Sequence, residues 1–81
     1  MRAKIKSLEA ILNTPRLSVK TWKGIPVDNV RREGTWCAMK ADVIGKTIDI
    51  RAGTWSDDGA DCYAGGYTNI FPEAIEELYE T

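Results

Sequence analysis

The run Thr47 to Ala52 alternates without a break. Ile48, Ile50 and Ala52 are apolar, and Thr47, Asp49 and Arg51 between them are polar. A period of two sends successive side chains to opposite faces of a strand. Such a strand is buried on one side and wet on the other, which is the habit of antiparallel sheets. A chain of 81 residues has material for one hydrophobic core, so a single domain over 1–81 is expected. Hydrophobic residues at 43 % and charged residues at 28 % suit a folded domain and are too apolar for disorder.

Several function classes drop out early. No unbroken apolar run approaches the roughly 20 residues of a membrane span, so no membrane partner is expected. The segment behind Met1-Arg2-Ala3-Lys4 lacks the about 7–15 apolar residues of an export signal, and a cytoplasmic protein is expected. There is no histidine, which removes the commonest general base and the commonest metal ligand. Cys37 and Cys62 stand 25 positions apart. That is neither a zinc spacing nor a disulfide framework, so free thiols are expected. Ser56-Asp57-Asp58-Gly59 has turn chemistry, and it lacks the spaced ligands and closing glutamate of a calcium loop. No cofactor and no metal are expected. Asp57, Asp58 and Asp61 form a carboxylate cluster near aromatic rings, but in an exposed turn nothing would desolvate them for acid–base work, so no enzyme is expected.

The charge is unevenly spread. Residues 1–32 carry +6 and residues 33–81 carry −7. The two halves either neutralise each other in the fold or offer opposed faces to charged partners.

Local patterns divide the chain as follows. Lys4-Ile5-Lys6 alternates and suits a short strand. Ser7 can cap a helix carrying Leu8, Ile11 and Leu12 on one face, ended by Asn13-Thr14-Pro15. Arg16 to Asp28 is extended and basic, with a break at Gly24-Ile25-Pro26, and Asn29 to Gly34 reads as loop. Thr35 to Gly45 reads as a second short helix, with Trp36, Met39 and Val43 on one stripe. Ala60 to Phe71 reads as a hairpin turning at Gly65-Gly66, with Cys62 inward and Tyr63 and Ile70 outward. Pro72 to Tyr79 reads as a closing helix with Ala74, Ile75, Leu78 and Tyr79 on its dry side. The expected core is Leu8, Ile11, Leu12, Trp36, Met39, Val43, Ile48, Ile50, Cys62, Phe71, Ile75 and Leu78. The expected fold class is α+β: a small antiparallel barrel or curled sheet with short helices at the start, middle and C-terminus.

The stretch Lys4-Ile5-Lys6-Ser7-Leu8-Glu9 resembles the opening of small bacteriophage and prophage proteins. Trp36, Met39, Gly45-Lys46, Ile48, Ile50, Gly66-Tyr67 and Glu73-Ala74-Ile75-Glu76 continue the likeness. The resemblance implies an SH3-like barrel and a host-directed role, such as blocking a host enzyme or a defence factor. It carries no catalytic residue with it.

Two binding surfaces are expected. The first is an acidic and aromatic set, Trp55, Asp57, Asp58, Asp61 and Tyr63, facing a host protein with a basic surface. Exposed rings supply buried area and the acids supply steering. The alternative is a nucleic-acid surface in the basic half, Lys20, Trp22, Lys23, Arg31 and Arg32, which mixes cations with a stacking ring.

Overall fold

A computed structural model describes residues 1–55, 61–65 and 68–80. Eleven short strands, one short helix and two 3₁₀ turns occur among them. The strands are β1 (Arg2–Ile5), β2 (Leu17–Ser18), β3 (Thr21–Trp22), β4 (Ile25–Pro26), β5 (Val30–Arg32), β6 (Ala38–Met39), β7 (Thr47–Asp49), β8 (Arg51–Trp55), β9 (Asp61–Ala64), β10 (Asn69–Ile70) and β11 (Ile75–Tyr79). They form antiparallel sheets in the orders β11-β1-β7, β10-β9-β8 and β2-β5-β6, with β3-β4 as a separate ribbon. Only Ile50 separates β7 from β8, and its N–H donates to the Met1 carbonyl at 2.9 Å. The run 47–55 therefore joins the first sheet to the second.

The fold is dominated by sheet, and the expected α+β class with three helices is wrong. Only the first helix forms: α1 (Leu8–Leu12), where the Ser7 hydroxyl accepts the Ala10 N–H and Ile11 is buried. Replacing Ser7 with alanine is expected to cost about 1 kcal/mol, read as a modest fall in the urea midpoint.

The expected middle helix is replaced by β6 and a 3₁₀ turn at Ala41–Val43. Thr35 does accept the Cys37 N–H at 3.2 Å, but that closes a local turn and no helix follows. The Asn29 to Gly34 loop is instead β5, which pairs Val30 with Met39 and Arg31 with Ala38. Met39 and Val43 are buried, while Trp36 is 63 % exposed, so the stripe is broken. A helix of about three turns is marginal alone, and pairing with β5 offers the same backbone bonds together with burial of Met39.

The closing helix also fails. Pro72 starts a 3₁₀ turn ending at Ala74, and the chain then runs straight as β11 along β1. Leu78 is exposed, as is Leu12, so neither belongs to the core. Leu8, Ile48 and Ile75 are half-buried.

The hairpin forms in a shifted register. Ala64 stands opposite Asn69 and Tyr63 opposite Ile70, and the Gly65 N–H donates to the Thr68 carbonyl at 2.9 Å. Ile70 is fully buried and Tyr63 packs half-buried against the core, so the face expected to be outward is an inner face. Gly65 is required for space. A Cβ there would lie 2.9 Å from Ile70 Cγ1 and 3.1 Å from Ile48 Cδ1. Gly65→Ala is therefore expected to destabilise the fold by about 1–3 kcal/mol through overpacking, measured by thermal melting.

Cys37 and Cys62 are both buried free thiols. No helix among the described residues is long and apolar enough to cross a membrane.

Candidate functional site

The ribbon β3-β4 owes its shape to two residues. Lys23 and Gly24 have φ of 51° and 78°, and a two-residue hairpin turn with both angles positive matches the twist of its strands. Glycine takes this conformation freely, and lysine takes it at some cost. Trp22 pairs with Ile25, and Thr21 with Pro26. The Val27 N–H donates to the Lys20 carbonyl at 3.0 Å, extending the ladder by one step. Alternation then places Lys20, Trp22, Ile25 and Val27 on one face.

That face is bare. Trp22, Ile25 and Val27 are 66, 65 and 58 % exposed. The Lys23 ammonium stands 5.7 Å from the Trp22 ring centroid, inside the range of cation–π attraction. At the base of the ribbon, Ser18, Lys20, Asp28, Asn29 and Arg31 line an open cleft of about 390 Å³ together with Val19. Cations thus stand at the tip and the base, with three apolar side chains between them.

The charge asymmetry is partly absorbed inside the molecule. Arg2 pairs with Asp49 at 3.9 Å, Lys4 with Glu76 at 3.2 Å, and Arg32 with Glu73 at 3.2 Å. Each pair joins a base of the first half to an acid of the second. Lys20, Lys23 and Arg31 make no ion pair among the described residues.

The expected basic set therefore splits. Lys20, Trp22, Lys23 and Arg31 lie on the ribbon and at its base. Arg32 turns inward: it is 8 % exposed, bridges to Glu73, and holds its guanidinium 4.8 Å from the Phe71 ring centroid. It belongs to the packing between β5 and the turn at Pro72. Ile25 and Val27 escaped the sequence reading because Gly24-Ile25-Pro26 reads as a break. The tetrapeptide Trp22-Lys23-Gly24-Ile25 held the hairpin signal, a glycine in the turn between two large apolar residues.

Of the acidic and aromatic set, Trp55 and Asp61 are described as a strand pair only. Asp57 and Asp58, and the side chains of Trp55 and Asp61, lie outside the described residues. Tyr63 is the one member whose side chain is described, and it packs against the core.

No family model, no curated protein and no solved structure matches this chain.

Proposed function

We propose that the protein is a non-enzymatic binding module that docks a partner protein on the apolar face of the β3-β4 ribbon. One observation carries this reading: three large apolar side chains stand more than half exposed on a single face of a two-stranded ribbon. An isolated ribbon is marginal in water, and contiguous exposed apolar surface marks interaction sites. Tryptophan is the commonest energetic anchor of an interface. The cations Lys20, Lys23 and Arg31 around it suit a partner whose apolar patch is rimmed with acids. The phage-type, host-directed setting belongs to the same proposal and rests on the resemblance of Lys4 to Glu9 and the residues after it. An acidic docking surface around Trp55, Asp57, Asp58 and Asp61 rests likewise on sequence.

The mixture favours protein over nucleic acid. Ile25 and Val27 have no π-face for a base to stack on, and the ribbon offers one ring where single-strand binders use several. Affinity capture from host lysate with the wild type and with Trp22→Ser plus Ile25→Ser tests the reading. A captured protein lost with the double variant supports it. Equal capture by both chains sinks it. Salt-dependent binding of a single-stranded oligonucleotide, lost with Lys20→Ala plus Lys23→Ala, would replace it with nucleic-acid binding.

A further inference from the structure

The strand β11 forms an open edge. Among the described residues it pairs with β1 and with no other strand. The direction of its backbone groups follows from β1. The Ile5 N–H donates to the Lys46 carbonyl and the Met1 carbonyl accepts from Ile50, both at 2.9 Å, so the odd positions of β1 turn toward β7. The Lys6 N–H donates to the Ala74 carbonyl at 2.8 Å, so the even positions turn toward β11. Arg2 stands opposite Tyr79, Ala3 opposite Leu78 and Lys4 opposite Glu77. Tyr79 and Glu77 therefore face β1, and the N–H and C=O of Leu78 point away from the sheet.

The edge is charged. Glu76, Glu77 and Glu80 are all exposed. Glu76 bonds to the Lys4 ammonium and holds it above its usual pKa; Glu77 accepts the Tyr79 hydroxyl at 3.0 Å and raises that phenol. Leu78 and Tyr79 stand more than a third exposed between these acids. Charges on an edge strand protect against pairing with a copy of itself. A second β11 laid on this edge would set carboxylates against carboxylates, which is unfavourable in a cross-strand pair. The same charges favour a strand of opposite sign.

We propose that β11 is a docking edge for an extended, lysine- or arginine-bearing segment of a partner protein, which adds to the β11-β1-β7 sheet as a fourth strand. Main-chain bonds to Leu78 give affinity, and Glu77 and Glu80, the acids of this edge not spent on a cation of β1, select a basic strand over an acidic one. Five residues, about 17 Å of edge, bound the length that is read. This surface shares no residue with the ribbon.

The test uses two labelled peptides, one alternating lysine with valine and threonine, the other with glutamate in place of lysine. Fluorescence anisotropy reads binding to the full chain. The basic peptide is expected to bind and the acidic one to fail. Leu78→Pro removes the outward N–H without touching a bond to β1, and is expected to weaken the basic peptide about tenfold. Glu77→Lys with Glu80→Lys is expected to reverse the preference between the peptides. If Leu78→Pro lowers the melting temperature, the charge-reversed variant decides alone. Equal binding of both peptides, or a preference unchanged by charge reversal, overturns the proposal. So does a dimer of the unmodified chain that Leu78→Pro abolishes, because the occupant would then be a second copy.

Discussion

Truncating Phe71 to alanine is expected to cost about 3–5 kcal/mol, against a total stability of roughly 4–12 kcal/mol for a chain of this size. Phe71 is fully buried and is the largest of the fully buried side chains among the described residues. Its ring also lies under the Arg32 guanidinium at 4.8 Å, and Arg32 in turn bridges to Glu73 two positions beyond. The ring thus ties the β10 end of one sheet to β5 of another. Its loss removes buried area and leaves a charged group beside a cavity. The melting temperature should fall by about 15 °C or more. Phe71→Leu keeps most of the volume and should lose about 1.5 kcal/mol or less. A fall of only a few degrees with alanine would mean that the core closes around the gap, and that Arg32 keeps its place without the ring.

Two features were legible in the sequence because their causes are local. Ser7 caps α1 through a bond three residues long, and the alternation around Ile48 was enough to place β7 in a sheet. The closing helix was misread for a geometric reason. Ile75 and Leu78 are three apart, which in a helix means a shared face. In β11 the register slips between Lys4 and Ile5, so that Ile5 faces Ile75 while Ala3 faces Leu78. Ala3 and Ile5 point to the same side of β1, so the slip sets Ile75 and Leu78 on one side as well. A bulge adds one residue to a period of two, and over five residues the result imitates a helical spacing. The middle segment failed differently. Thr35 makes the expected cap bond, yet β5 lies beside it, and pairing with Val30 decided the conformation of Met39. No pattern within residues 35–45 contains that information.

The binding surface was half legible. Lys20, Trp22, Lys23 and Arg31 were marked by their chemistry, and the ribbon brings them together. Arg32 was marked by the same chemistry and is buried, because β5 alternates: Val30 and Arg32 point inward while Arg31 points out. A charged residue on an inward position becomes visible only when its partner, Glu73, is brought to it from 41 positions away.

Removing the Trp22 ring should separate binding from folding. The side chain is 66 % exposed, and surface changes of this kind usually shift stability by about 0.5 kcal/mol or less. The ring does hold the Lys23 ammonium at 5.7 Å, worth about 0.5–1 kcal/mol at an exposed site. The turn itself depends on Gly24 and its positive φ, so the ribbon should survive Trp22→Ala. Against a partner protein the same change should cost about 2–4 kcal/mol, which is roughly a 30- to 1,000-fold loss of affinity. Ile25→Ala should lose less, since it removes fewer buried atoms from the same face. Lys23→Gln should act mainly on the association rate and its salt dependence, because a cation at the rim steers encounter more than it holds the complex. Calorimetry of the free chain and surface plasmon resonance with the captured partner read the two quantities independently. A large fall in melting temperature with Trp22→Ala would make the ring a structural part of the ribbon. Unchanged affinity with an intact fold would remove the ribbon as the docking face.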